Sequence, residues 1–63
     1  MNPREQQILS KAREAGFISV EDIASEHQVT LQTARRDLGR LAELGWLTRV
    51  HGGAVPVGES EQS

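Results

Sequence analysis

Residues 33–40 read TARRDLGR, which places Arg35, Arg36 and Arg40 within six positions and Asp37 among them. A guanidinium is a planar, permanently charged fork of N–H donors. It matches phosphate oxygens and the O6/N7 edge of guanine. Gln32 lies just upstream, and its amide can bond adenine in two places. A second group follows at Arg49, His51, Gly52 and Gly53, with one cation, one imidazole and two bare backbone amides. Both groups suit a polyanion. Asp37 suits it only if the acid has a cation of its own.

Other chemistry finds little to work with. The chain has no cysteine, which excludes disulfides and Cys-based zinc sites. His27 and His51 alone make no convincing metal site. No Gly-rich phosphate loop opens a helix, and there is no nucleophile elbow or paired-histidine motif. The expectation is a protein that is not an enzyme and carries no cofactor or metal.

Net charge is −2 over the chain, but it is unevenly spread. Residues 1–29 hold three basic and five acidic groups, and residues 55–63 add Glu59 and Glu61. Residues 30–54 hold four basic groups against Asp37 and Glu43, so this block is positive. Sixty-three residues allow one small domain with a marginal core. No apolar run reaches membrane-spanning length, and the N-terminus lacks the apolar segment of a secretory signal. A soluble cytoplasmic protein is expected.

The elements that must position these groups can be read from caps and periodicity. Asn2-Pro3-Arg4-Glu5 has the form of a capping box with proline in the first turn, so a helix is predicted over 3–15, closed by Gly16. Phe17-Ile18-Ser19 is a candidate short strand. Ser19 caps a short second helix over about 20–26, with Glu21 and Asp22 favoured by the helix dipole in its first turn. Three residues later Thr30 caps a third helix over about 31–44, with Val29 as a hydrophobic staple. Its buried stripe is predicted as Ala34, Leu38, Leu41 and Leu44 or Gly45, and Gly45 ends it. Trp46 to Val50 and Val55-Pro56-Val57 read as strands, with Gly52-Gly53 as a tight turn of the primed type and Pro56 at a sheet edge.

This order gives a mostly helical fold with a small β-hairpin. It is a winged helix-turn-helix of three helices, a two-stranded wing and the candidate third strand. The domain is expected over 1–57. Residues 58–63 are expected as a disordered tail or the start of a linker.

A helical wheel at 100° per residue divides the third helix. With Ala34 and Leu38 facing inward, Gln32, Arg36 and Gly39 face outward together. Thr33 and Arg40 lie on one flank and Arg35 on the other. The major groove admits one helix, and its N-terminal turns meet the base edges. Gln32 and Arg36 are therefore candidates for base contacts. Leu31 is a third, against a thymine methyl, and Thr33 a fourth. Thr30, Arg35, Arg40, Arg49, His51, Gly52 and Gly53 are candidates for contacts to the DNA backbone. Asp37 is expected to orient Arg40 or an arginine of the first helix such as Arg4. Trp46 is expected to pack on the wing or the first helix, and His27 to fill a half-buried position.

The segment VTLQTARRDLGRLAELGWLTRVHGGA resembles the N-terminal DNA-binding domain of the DeoR family of bacterial transcriptional regulators. The resemblance rests on Val29, Thr30, Thr33, Arg35-Arg36-Asp37-Leu38, Leu41, Gly45 and Arg49-Val50-His51-Gly52-Gly53-Ala54. It runs from about residue 4 to 55. It implies a winged helix-turn-helix that binds double-stranded operator DNA, usually as a repressor of sugar, sugar-alcohol or nucleoside genes. It also implies a homo-oligomeric, nucleoid-associated full-length protein. There a C-terminal domain absent from this chain senses a phosphorylated sugar, and this chain alone is monomeric. The chain departs from the pattern in three respects. His27 and Gln28 stand where the family has a large apolar residue and glycine, Thr30 replaces serine, and Ala34 replaces a larger aliphatic. Gln28 is then expected to carry backbone strain if the turn needs a positive φ.

Overall fold

The computed structural model describes residues 2–57; the expected tail at 58–63 lies outside them. Three helices, α1 (Pro3–Ala15), α2 (Val20–His27) and α3 (Leu31–Glu43), pack with three strands, β1 (Ile18–Ser19), β2 (Leu47–Val50) and β3 (Gly53–Pro56). This is the winged helix-turn-helix arrangement, with β1 as a third strand.

Each helix begins where its cap predicts. Asn2 Oδ1 accepts from Glu5 N–H at 2.7 Å, and Glu5 Oε1 accepts from Asn2 N–H at 3.2 Å, which completes the capping box. Ser19 Oγ accepts from Asp22 N–H, and Thr30 Oγ1 from Thr33 N–H. Between α2 and α3 the chain reverses at Gln28, whose φ of 55° is left-handed. It is the only non-glycine residue with positive φ among those described. The strain expected at this departure from glycine is therefore present, worth about 1–2 kcal/mol. Val29 follows, half-buried against the core as a staple should be.

The core gathers Ile8, Leu9 and Ala12 of α1, Ile18, Val20 and Ile23, then Ala34, Leu38 and Leu41 of α3, and Leu47 and Ala54 of the sheet. Ala34, Leu38 and Leu41 are fully buried, as the wheel requires. Leu38→Ala would cost about 2–5 kcal/mol at such a site. The stripe ends there. Leu44 is 54% exposed, because the last helical residue is Glu43 and Leu44 is already the cap.

The wing differs from the sequence reading in two respects. First, the hairpin turn is His51-Gly52, since Val50 pairs with Gly53. Only Gly52 has a positive φ, so the turn is neither primed type. Gly53 instead belongs to β3, and its glycine answers a close approach. A Cβ there would stand 2.1 Å from the Ile18 carbonyl oxygen. Second, β3 is the central strand, in the order β1-β3-β2, all antiparallel. Pro56 is tolerated because β1 reaches only Gly53 and Ala54. Val57 N–H donates to Trp46 O at 3.1 Å, so bonds to β2 fall on alternate residues and the Pro56 nitrogen faces the side β1 leaves open.

Candidate nucleic-acid interface

The outer face of α3 is built by its first turns. Thr30 Oγ1 accepts the Thr33 amide and its hydroxyl donates to Thr33 Oγ1, each at 3.1 Å. Thr30 is thereby committed to the cap, while the Thr33 hydroxyl proton is left for an outside acceptor. Leu31, Gln32, Arg35 and Arg36 are exposed. Among the described residues Arg35, Arg36 and Arg49 form no ion pair.

The wing closes one side of this face. Arg35 of α3, Arg49 of β2 and His51 and Gly52 of the turn line a hollow of about 340 Å³, with Ser19, Val20 and Glu21 at the α2 N-terminus. Four of the residues expected at the DNA backbone thus meet at one place. Arg49 also reaches α3 itself, since a Cβ on Gly39 would lie 3.4 Å from its Nη1. The absent side chain at Gly39 leaves room for this guanidinium. Gly53 does not join the set. It is buried between β1 and β2, and its place among the expected phosphate contacts is withdrawn.

On the other side stands α1. Asp37, only 5% exposed, accepts from Arg4 Nε at 2.6 Å and Arg4 Nη2 at 3.2 Å. This two-point pair fixes α1 against α3. The bond to Asp37, and then its charge, raise the Arg4 pKa above its usual value, outweighing the opposing effect of burial. Asp37 thus orients Arg4, one of the two partners its sequence position allowed. Arg40 goes to a different acid, Glu5, with Nε 3.0 Å from Oε2. Glu5 is 2% exposed, and no local pattern could have announced this pairing across 35 positions. A third ion pair joins Lys11 to Glu26 between α1 and α2.

Trp46 is 41% exposed, with Arg13 of α1 stacked 5.6 Å from its ring centroid. His27 is half-buried, as a filler would be. No group of three metal-ligating side chains occurs among the described residues, and no helix is long and apolar enough to cross a membrane.

An exposed helix presents an amide and an arginine, flanked by unpaired cations and by a hairpin. That arrangement can enter a groove and grip the phosphates beside it. Comparison with known proteins agrees. Residues 4–59 match the DeoR-like helix-turn-helix domain. The chain is 43% identical over 53 residues to the HTH-type transcriptional repressor CsqR of Escherichia coli, covering 84% of this chain and 20% of that protein. It is 40% identical over 60 residues to the glycerol-3-phosphate regulon repressor of Haemophilus influenzae, covering 95% of this chain and 24% of that one. It is 44% identical over 55 residues to the L-fucose operon activator of the same organism, covering 87% and 22%. The chain therefore spans about a fifth to a quarter of the length of these relatives. No solved structure matches it significantly. The chain belongs to the DeoR-like helix-turn-helix family, a DNA-binding domain of transcriptional regulators.

Proposed function

We propose that this chain binds double-stranded operator DNA in a sequence-specific manner, with α3 in the major groove and the wing along the sugar-phosphate backbone. The observation that carries this reading is the outer face of α3, where Gln32 and Arg36 are exposed between flanking cations. Leu31, Gln32, Thr33 and Arg36 meet base edges. Arg35, Arg40, Arg49, His51 and Gly52 hold phosphates. The regulated genes belong to sugar or related carbon metabolism, and the usual outcome is repression. The names of a glycerol-3-phosphate regulon repressor and an L-fucose operon activator among the relatives support the metabolic assignment, and repression is supported by the former and by CsqR. Oligomerisation and the sensing of a phosphorylated sugar are assigned to a segment outside this chain.

Selection of duplexes from a random-sequence pool, followed by a salt titration, tests the reading. Log affinity should fall linearly with log salt. Arg36→Ala should cost about 1–3 kcal/mol and relax preference at one base, whereas Arg49→Ala should weaken all sequences alike and reduce the salt slope by about one. If Arg36→Ala left both affinity and preference intact, base readout by α3 would be wrong. Binding of an acidic protein in preference to any duplex would favour an interaction module instead.

A further inference from the structure

We infer that Glu5 is a positioning residue for DNA binding, acting through Arg40. This rests on the proposed docking of α3. Glu5 cannot touch DNA, because it is 2% exposed. Each of its carboxylate oxygens is engaged, Oε1 by the Asn2 amide at 3.2 Å and Oε2 by Arg40 Nε at 3.0 Å. The capping box therefore fixes the carboxylate, and the ion pair draws the guanidinium to it. Arg40 itself stays 66% exposed. It is held through Nε, and none of its Nη donors has a hydrogen-bond acceptor among the described residues.

The location gives this hold a purpose. Arg40 lines an open hollow of about 580 Å³ together with Arg36, Gly39 and Glu43 of α3, beside Asn2 of α1. Arg36 is the outer-face arginine, and Arg40 is one turn farther along. On the opposite flank Arg49 lies over Gly39. The reading face is thus bracketed by two guanidiniums, Arg40 paired with α1 and Arg49 reaching over from β2. Left free, a long arginine loses rotamer entropy when it orders on a phosphate. Pre-ordered by Glu5, it loses less on meeting a backbone phosphate beside α3.

A double-mutant cycle separates this role from ordinary helix capping. The probe is the tightest duplex that the chain recovers from a random pool, and binding is followed by fluorescence anisotropy over a range of salt. Glutamine can also close a capping box, so Glu5→Gln removes the charge while keeping the start of α1. Arg40→Ala should lower affinity about tenfold and reduce the salt slope by about one. Glu5→Gln should lower affinity about three- to tenfold with Arg40 present, and change it less than about twofold in the Arg40→Ala background. Arg40→Lys keeps the charge but not the anchored fork, and should lose as much as Glu5→Gln does. It also keeps the test open if Glu5→Gln melts before it can be measured.

Tighter binding by Glu5→Gln overturns the inference, since removing an acid beside a polyanion would then be its whole effect. So does an equal loss in both backgrounds, which would mark a purely structural role, or parental affinity in Arg40→Lys. If the parent recovers no duplex, the docking of α3 fails with it. A parent that binds while the cycle is additive refutes the positioning role alone.

Discussion

Replacing Gly53 with alanine should detach the wing from the helical body. Its φ is not left-handed, so alanine meets no backbone penalty there; the obstacle is space. The new Cβ would stand 2.8 Å from Phe17 Cζ, 3.0 Å from the Ile18 carbonyl carbon and 2.1 Å from its oxygen. Phe17 is 45% exposed and its ring can turn away. The carbonyl cannot, because it is the backbone of β1. Ordinary contact requires β1 to retreat by more than about 1 Å. The β1–β3 ladder has only two pairs, Ile18 with Ala54 and Ser19 with Gly53, so such a retreat dissolves it. Its hydrogen bonds contribute about 0.5–1.5 kcal/mol each. Ile18 is 3% exposed, and uncovering part of it adds a share of the about 1.5–3 kcal/mol for full burial. The total is about 2–4 kcal/mol. A domain of this length has only about 3–9 kcal/mol of stability. Thermal unfolding followed by far-ultraviolet circular dichroism should therefore show Tm lower by about 10 °C or more. Gly52→Ala is the internal control, since its Cβ meets open space but its φ is 79°. It should cost only the left-handed penalty, about 1–2 kcal/mol. A Gly53→Ala variant melting within about 3 °C of the parent, or above Gly52→Ala, would refute the clash argument.

Two further substitutions should stabilise the chain. Gln28→Gly removes the left-handed strain at an exposed residue between α2 and α3, and should raise Tm by several degrees, for a gain of about 1 kcal/mol; an unchanged Tm would mean that local bonding already relieves Gln28. Gly39→Ala should gain up to about 1 kcal/mol from helix propensity, because its Cβ would meet only the movable tip of Arg49 at 3.4 Å. A lower Tm would show that the Arg49 guanidinium is fixed over α3 more firmly than its exposed strand implies.

The helices were legible because their signals are local. A capping box at Asn2–Glu5, a serine at 19, a threonine at 30 and glycines at 16 and 45 state their boundaries within a few residues. The inner face of α3 was legible for the same reason, since Ala34, Leu38 and Leu41 recur at helical spacing. The sheet was harder. Two adjacent glycines look alike in sequence, yet Gly52 answers a positive φ while Gly53 answers a carbonyl contributed from residue 18. Nothing nearby in sequence reveals that contact. Pro56 argued for an edge strand, but the shortness of β1 makes a central strand tolerate it. The ion pairs were equally remote. Asp37 needed an arginine, and both Arg4 and Arg40 were in reach of the argument. Only the packing of α1 on α3 separates them, giving Arg4 to Asp37 and Arg40 to Glu5.

That division explains how a chain of net charge −2 presents a positive face. Two of its nine acids, Glu5 of α1 and Asp37 of α3, are buried, and each is paired with an arginine of the other helix. Glu26 is paired with Lys11, and Glu21 and Asp22 begin α2. Among the described residues, the cations without an ion pair at the reading face are Arg35, Arg36 and Arg49, which come from α3 and the wing. An approaching phosphate backbone responds to charges within about a Debye length, roughly 10 Å at moderate salt, which takes in Glu21 and Glu43 beside the two hollows but hardly the acids farther away. The buried carboxylates therefore do not oppose a polyanion. They brace the helix that carries the arginines, and at Glu5 the same carboxylate caps α1 and holds Arg40. One acid so placed ties the start of the chain to the face of α3 that would meet DNA.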